Sequence, residues 1–288
     1  MIQPLFEHRM ELAGFQTRVL ELEGDGVPIV MFHGYADSAD TWRQMLALLA
    51  RQGQRAIAVD LPGFGTADRL GPDLILPQLD EFALAAVRYI AGRPRQPVIA
   101  IGNSLGGCVS LRLGERHRDR LAGIVGVAPA GLEMSRLLFL VQRDPVLHSL
   151  LALPTPVPAV VLRAAVARLY RQLAFAHPRE IDPKVVSAFT WHHRERSRVA
   201  HYLDTAHRML PELREPFDLH RITAPVLLVW GDRDRLVFHR GAKRVLDAVP
   251  DARLELLPGV GHCPQVEAPG RLTELLLEFS RQLEPAAV

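Results

Sequence analysis

The stretch that most constrains the fold is a short apolar run that leads into a serine flanked by glycines. Residues 97–101 predict a buried strand and residues 105–117 predict a helix, with Gly-Asn-Ser-Leu-Gly between them. So sharp a turn leaves no room for a Cβ two residues either side of Ser104, and glycines occupy both positions. Ser104 is then either a nucleophile held in a strained turn or an ordinary residue of a glycine-rich loop.

Patterns typical of strands and helices alternate on both sides of this stretch. The predicted strands are residues 17–22, 28–32, 55–59, 97–101, 121–127, 224–230 and 253–257. The predicted helices are residues 38–51, 77–91, 105–117, 240–249 and 269–283. Strands that alternate with helices imply right-handed βαβ units, so we expect an α/β fold built on a mostly parallel sheet.

The alternation stops after residue 131 and returns near residue 219. Between them the pattern indicates only helical segments, at 137–141, 146–153, 160–175 and 185–209, broken by prolines. We therefore predict a core of residues 1–130 and 219–288 with a helical insertion at 131–218. The run 137–141 is too apolar for a simple surface helix, so it either covers the active site or offers an apolar face to lipid or a partner.

Composition excludes several classes of function. The 288 residues are 48% hydrophobic with a net charge of +2, and the basic residues are scattered, so nucleic-acid binding is not expected. Two cysteines, Cys108 and Cys263, predict free thiols rather than a disulfide framework. No signal-peptide layout and no apolar run of about 18 residues is present, so we expect a soluble cytoplasmic protein.

Cofactors are not expected either. No G-x-G-x-x-G follows a predicted strand and no phosphate loop is present, so no nucleotide cofactor is indicated. Several histidines lie in an arginine-rich helical stretch without a clean ligand spacing, which favours a polar face over a metal site. They are His192, His193, His201 and His207.

Three chemically distinct side chains follow strands of the predicted sheet. Ser104 follows residues 97–101, Asp234 follows 224–230 and His262 follows 253–257. Functional groups collect at the carboxyl ends of parallel strands. A serine hydroxyl needs an imidazole as base, and the imidazole needs a carboxylate to hold its tautomer. The order Ser, Asp, His therefore favours nucleophilic catalysis.

At this point the sequence resembles the α/β-hydrolase superfamily. The resemblance covers nearly the whole predicted core, and its five motifs each follow a strand. They are His33-Gly34, Asp60-Leu61-Pro62-Gly63-Phe64-Gly65, Gly102-Asn103-Ser104-Leu105-Gly106-Gly107, Gly231-x-x-Asp234 and Gly261-His262. The resemblance implies an α/β-hydrolase fold, an eight-stranded, mostly parallel sheet flanked by helices, with the insertion at 131–218 as a cap or lid.

The resemblance implies that Ser104 is the nucleophile, His262 the base and Asp234 the acid. Asp232 is an alternative carboxylate, although it suits a turn that caps its own backbone. Glu133 is a weaker candidate, from the loop after the preceding strand. His239 is the rival base, but it begins a predicted helix instead of lying in the loop before the last helix.

An oxyanion hole needs backbone N–H groups aimed at the developing negative charge. The amide of Leu105 directly follows the nucleophile, and the resemblance favours the amide of Tyr35 as the second donor. His33 is interpreted mainly as a residue that pins this loop by a hydrogen bond. Asn103, Trp191 and His33 are the candidate residues near the substrate.

A serine in place of an aspartate argues against dehalogenase and epoxide-hydrolase chemistry and favours acyl transfer. We predict an esterase or lipase-like enzyme acting on a small-molecule ester with an apolar part, because the insertion is rich in Leu, Val, Ala and Phe. One alternative is a C–C bond hydrolase of dienoic ring-cleavage products. The Gly-Asn-Ser-Leu-Gly-Gly of this chain resembles the nucleophile elbow of those enzymes. Cofactor-free haloperoxidase or lyase chemistry, and a non-catalytic binding protein, also stay open.

Overall fold

A computed structural model describes residues 4–92, 96–135, 168, 171–181 and 196–283. The strands are β1 Leu5–Leu12, β2 Phe15–Leu22, β3 Asp25–Phe32, β4 Gln54–Val59, β5 Val98–Asn103, β6 Leu121–Val127, β7 Val226–Gly231 and β8 Ala252–Leu257. They form one eight-stranded sheet in the order β1-β2-β4-β3-β5-β6-β7-β8. Along the stretch β4-β3-β5-β6-β7-β8 each strand pairs in parallel with the next, which confirms the predicted mostly parallel sheet.

The strand β1 is the one that the sequence pattern did not indicate. It pairs antiparallel with β2 through a tight turn at Ala13 and Gly14, both of which have positive φ. Most of its side chains are partly exposed because it is the edge strand, so its apolar alternation is weak. Its pairing with β2, which is itself antiparallel to β4, makes this end of the sheet a hairpin.

Helices cover both faces of the sheet. They are α1 Arg43–Arg51, α2 Ile75–Ala91, α3 Leu105–Arg116, α4 Arg196–Glu212, α5 Ala242–Ala248, α6 Pro264–Glu267 and α7 Pro269–Leu283. In β3, Val30 and Phe32 pack into the apolar layer that contains α2 to α5, while Ile29 and Met31 pack into the layer that contains α1 and α7. Burial on both faces explains why the central strands are continuously apolar.

The five predicted helices are present, two of them with 3₁₀ turns at their start. Ala39–Trp42 precedes α1 and His239–Gly241 precedes α5. The patterns at 137–141 and 146–153 lie outside the described residues, as do parts of those at 160–175 and 185–209. Within the described part of 131–218, the only extended pairing is an isolated bridge between Met134 and Val237. The division into core and insertion stays a prediction.

The helix α4, which leads back from the predicted insertion, is fastened to the core. The Glu212 carboxylate accepts the N–H groups of Ile75 and Leu76 at 2.8 and 2.9 Å, and so caps the first turn of α2. Arg208 donates to the carbonyl oxygen of Gly71 at 2.6 Å. These contacts attach α4 to α2 and to the loop before it.

The turn between β5 and α3 requires residues without side chains on both sides of Ser104. A Cβ on Gly102 would lie 2.1 Å from the backbone carbon of Gly106. A Cβ on Gly106 would lie 2.1 Å from the carbonyl oxygen of Phe32. The start of α3 is therefore in direct backbone contact with β5 and β3, as predicted for the two glycines.

A buried ion pair fastens the loops that follow β3 and β4. The Asp60 carboxylate bonds with Arg18 at 3.1 and 3.2 Å and is fully buried. It also accepts the N–H groups of Ala39 and Thr66, each at 2.8 Å. Burial alone would raise the pKa of Asp60, but the Arg18 guanidinium outweighs burial and holds that pKa below its ordinary value.

Replacing Arg18→Met should lower the free energy of unfolding by about 3–5 kcal/mol, because it leaves the buried Asp60 without a counter-charge. The pKa of Asp60 is depressed in the folded state, so the pair's contribution is present above the unfolded pKa and is lost as pH falls through the folded pKa. Urea unfolding should therefore show the largest difference between variant and wild type at neutral pH and a smaller one in acid.

Arg43→Met is the control. Because Arg43 is 43% exposed, this substitution should lower the free energy of unfolding by at most about 1 kcal/mol. Equal losses in both variants would contradict the assignment.

Adding a single methyl group at Gly106 should also be severe. We expect Gly106→Ala to destabilise the fold by roughly 3 kcal/mol or more, because the new Cβ meets rigid backbone of β3. Gly270→Ala, in α7, is the matched control, since a Cβ there meets nothing within 4 Å. That control should be neutral or more stable by up to ~1 kcal/mol. Thermal unfolding of both variants measures the difference, and similar effects would refute the steric argument.

Candidate active site

Ser104 lies at the tip of the turn between β5 and α3 with a strained backbone. Its φ is 52° and its ψ is −110°, a conformation that is costly for a residue with a Cβ. Hydrogen bonds hold it from both sides: its N–H donates to Val127 at 2.9 Å, and its carbonyl oxygen accepts from Cys108 and Ala130, each at 2.9 Å. Such over-determined strain is characteristic of functional positions.

The structure brings His262 and Asp234 together. The His262 Nδ1 lies 2.7 Å from Asp234 Oδ2, and both side chains are buried. The other carboxylate oxygen of Asp234 accepts the N–H groups of Leu236 and Val237 at 2.8 and 3.0 Å. Because a carboxylate only accepts hydrogen bonds, Nδ1 carries the proton in the neutral ring and Nε2 carries the lone pair. His262 is therefore held in the tautomer of a general base.

The loops at this edge of the sheet converge on Ser104. The Asn103 side chain donates to the carbonyl oxygens of His262 at 2.9 Å and of Val127 at 3.3 Å. On the other side, a Cβ on Gly34 would lie 3.5 Å from the Ser104 Cβ. The histidine loop, the turn of Ser104 and the loop after β3 are thus in contact. Asn103, predicted near the substrate, is buried and bridges two of these loops.

His33 has the contacts of a structural residue. Its Nε2 accepts the N–H of Leu61 at 2.8 Å, which leaves Nδ1 to donate to the carbonyl oxygen of Gly34 at 2.7 Å. The ring is fully buried. The expected pinning hydrogen bond is present and joins the loops after β3 and β4.

Tyr35 connects the same loop to α4. Its hydroxyl donates to the carbonyl oxygen of Tyr202, and its ring packs edge-on against Phe64 with centroids 5.3 Å apart. Burial raises the pKa of Tyr35 well above its ordinary value, so the hydroxyl stays protonated and keeps this bond. Leu105 is the first residue of α3, where backbone N–H groups have no partner within the helix. The assignment of both amides to an oxyanion hole stays a prediction.

The alternative acids have other partners. Asp232 accepts the N–H of Gly259, in the turn after β8, at 2.7 Å, so its partner is in another loop and not in its own turn as expected. Glu133 pairs with Arg240 at 2.7 Å. The rival base His239 begins a 3₁₀ turn, as expected. Among the residues considered from the sequence, Asp234 is the carboxylate in contact with His262.

Two carboxyl groups near the site, the partly buried Glu267 and the buried Asp37, were missed by sequence analysis. Glu267 accepts the N–H groups of Gly261 and Ala176, and its net pKa is raised because burial outweighs these hydrogen bonds. Asp37 follows the Tyr35 loop, and burial raises its pKa to about 7 despite a hydrogen bond from Ser38. Neither belongs to a recognisable motif. The available signal was position in the sequence: Glu267 follows His262 by a few residues, and Asp37 follows the His33-Gly34 loop.

The remaining candidates are buried thiols or lie outside the described residues. Cys108 is fully buried and burial raises its pKa, which makes it an unreactive core thiol as predicted. Cys263 is buried against Ala174 and Phe175. Trp191 and the run 137–141 lie outside the described ranges.

The described ranges contain neither a cluster of metal ligands nor a helix that could cross a membrane. There, no three His, Cys, Asp or Glu side chains lie close enough to hold a metal ion. Over the same ranges, no helix combines the length and the apolar character that crossing a bilayer requires.

Comparison with known proteins finds relatives that align with most of the chain. A 2-hydroxy-6-oxo-6-(2'-aminophenyl)hexa-2,4-dienoic acid hydrolase of Metapseudomonas resinovorans is 26% identical over 285 residues, which span 95% of this chain and 90% of that protein. The monoacylglycerol lipase ABHD6 of Bos taurus is 24% identical over 268 residues, which span 87% of this chain and 74% of that protein. The solved structure of a serine hydrolase involved in carbazole degradation is similar in fold, with a TM-score of 0.77 at 22% identity, covering 97% of this chain and all of the other.

The family is decided by a match over most of the length. Residues 27–269 match the family model described as alpha/beta hydrolase fold, and this range runs from β3 into the start of α7. It includes Ser104, Asp234 and His262. The chain is therefore a member of the α/β-hydrolase fold family.

Proposed function

We propose that this hydrolase-fold protein is a serine esterase that cleaves carboxylic esters with an apolar acyl or alcohol part. The observation that carries the proposal is the 2.7 Å hydrogen bond from His262 to Asp234 at the same sheet edge as the strained Ser104. A serine on a strained turn and a histidine with a defined tautomer are two features typical of sites where a serine acts as the nucleophile.

In the proposed reaction, His262 Nε2 takes the proton of the Ser104 hydroxyl as Oγ attacks the ester carbonyl carbon. The amides of Tyr35 and Leu105 stabilise the oxyanion, each contributing about 3 kcal/mol. His262 then gives the proton to the departing alcohol, and the acyl group remains on Ser104. A water molecule activated by His262 hydrolyses the acyl-enzyme, while Asp234 stabilises the imidazolium in both steps.

The proposed preference for apolar esters depends on the segment 131–218, which we propose to be the cap over a core of residues 1–130 and 219–288. That segment is rich in Leu, Val, Ala and Phe. The similarity to a monoacylglycerol lipase supports an ester with a long apolar part. Within the cap, Trp191 is the proposed substrate contact, and the proposed location of the enzyme is the cytoplasm.

The second candidate is hydrolysis of a carbon–carbon bond in a dienoic acid. One specific observation favours it: the relative named as a hexa-2,4-dienoic acid hydrolase aligns over 95% of this chain. Two departures count against it, since the loop after β3 reads His33-Gly34-Tyr35-Ala36-Asp37 rather than a glycine-rich run, and Cys263 follows His262 where those enzymes commonly have tryptophan.

Labelling by a fluorophosphonate probe tests the nucleophile directly. Wild type should become labelled at one serine and should hydrolyse p-nitrophenyl esters, and Ser104→Ala should abolish both. Ser110→Ala is the matched control, because Ser110 lies one and a half turns further along α3 and bonds to the Gly106 carbonyl at 2.9 Å. Ester turnover without labelling of Ser104 would overturn the assignment. Turnover of a dienoate but of no ester would favour the second candidate, and neither activity would favour a binding protein.

The role of Asp234 is tested by an exchange that keeps its shape. Asp234→Asn should lower kcat about 10³–10⁴-fold, because an amide facing Nδ1 stabilises the wrong histidine tautomer. Asp247→Asn is the control, and it should keep activity within about three-fold because Asp247 is exposed in α5 and pairs with Lys243. Steady-state kinetics on the best p-nitrophenyl ester measure both. Comparable losses in the two variants would exclude the proposed triad.

A further inference from the structure

The carboxylate of Glu267 binds the backbone on both sides of His262. Its Oε1 accepts the N–H of Gly261 at 2.9 Å. The N–H of Cys263 also donates to the Glu267 carboxylate. Its Oε2 accepts the N–H of Ala176 at 2.8 Å. One partly buried carboxylate thus joins the residue before His262, the residue after it, and the segment 171–181.

The backbone around His262 has no room to move toward that segment. The N–H of His262 itself donates to the carbonyl oxygen of Ala174 at 2.8 Å. A Cβ on Gly261 would lie 2.6 Å from the nitrogen of Ala176 and 2.8 Å from Glu267 Oε1. Cys263 packs against Ala174 in a small apolar cluster. The histidine loop and the segment 171–181 therefore form one hydrogen-bonded unit centred on Glu267.

We propose that Glu267 is the positioning residue of His262: it fixes the peptide groups that flank the histidine and so holds the ring against Asp234. This rests on the proposed function only in taking His262 as the base. The N–H groups of Gly261 and Cys263, on either side of His262, share the Glu267 carboxylate as acceptor. This shared acceptor fixes the direction in which the His262 ring leaves the backbone. Because Glu267 also binds Ala176, it connects the position of the base to the segment 171–181, which is part of the predicted cap.

The chemistry of the cluster requires a carboxylate. Three N–H donors converge on this side chain, and a carboxylate offers two acceptor oxygens with about four lone pairs. A glutamine of the same shape has one acceptor oxygen, so its NH₂ group would face an N–H donor. Glu267→Gln should therefore release one flank of the loop while keeping the volume of the core.

The direct readout is the tautomer and hydrogen bond of His262. Nitrogen chemical shifts of isotope-labelled histidine, assigned by subtraction of His262→Ala, should show Nδ1–H in wild type. A low-field proton signal should report its bond to Asp234. In folded Glu267→Gln we expect that proton signal to weaken or disappear. Glu274→Gln, an exposed site in α7 paired with Arg271 at 3.2 Å, is the matched control and should leave both signals unchanged.

Kinetics separate positioning from a general loss of stability. Glu267→Gln should lower kcat and the rate of fluorophosphonate labelling about 10–100-fold with little change in KM, since a displacement of the base by about 1 Å costs that much. Glu267→Asp keeps the charge with a shorter reach, so it should recover part of the loss. If the glutamine variant does not fold, the aspartate variant and its histidine signals decide the question.

Failure of this inference is distinguishable from failure of the proposed function. Wild-type signals and rates in a folded Glu267→Gln, or in Glu267→Asp where only that variant folds, would overturn the positioning role and leave the esterase proposal intact. A wild-type protein without esterase activity or labelling would overturn the proposed function, while the histidine spectra would still report whether Glu267 holds the ring. An Nε2–H tautomer in wild type would overturn both.

Discussion

The candidate site depends on one close contact between backbones, at the start of α3. Because Gly102 and Gly106 carry no side chains, α3 begins against β5 and β3, and Ser104 lies in the turn with a positive φ. The strain at Ser104 persists because a hydrogen bond to Val127 and hydrogen bonds from Cys108 and Ala130 fix its peptide groups. Without this close contact between α3 and the two strands, Ser104 would lie in an ordinary loop. Nothing would then fix its distance from the loops that follow the other strands.

Buried and partly buried carboxylates hold the loops around this contact. Asp60 binds amides after β3 and β4, Asp234 binds amides in its own loop, and Glu267 binds amides on either side of His262. Loops at strand ends leave backbone N–H groups unpaired, and burying such groups without a partner costs about 1–3 kcal/mol each. A carboxylate that accepts two or three of them stabilises the loop and fixes its direction. The rigidity of the site therefore comes from side chain to backbone bonds at the sheet edge.

Among the described residues, the sequence patterns predicted every strand except β1 and, outside the predicted insertion, every α-helix except the short α6. It succeeded where a strand is buried on both faces, as in β3 and β5, because continuous apolar runs there have a physical cause. It failed for β1, whose conformation depends on pairing with β2 rather than on its own apolar pattern. The pairing of His262 with Asp234 was predictable since both follow adjacent parallel strands.

The role of Glu267 could not be predicted for a different reason. Its partners are backbone N–H groups, which every residue except proline supplies, so the contact leaves no pattern at the positions of Gly261 and Ala176. The same holds for Glu212, whose partners are the first N–H groups of α2. Such bonds constrain the acceptor but hardly constrain the donor. It follows that substitution of such a carboxylate should disturb the loops it binds, whereas substitution of a donor residue should matter only where its side chain has no room, as at Gly261.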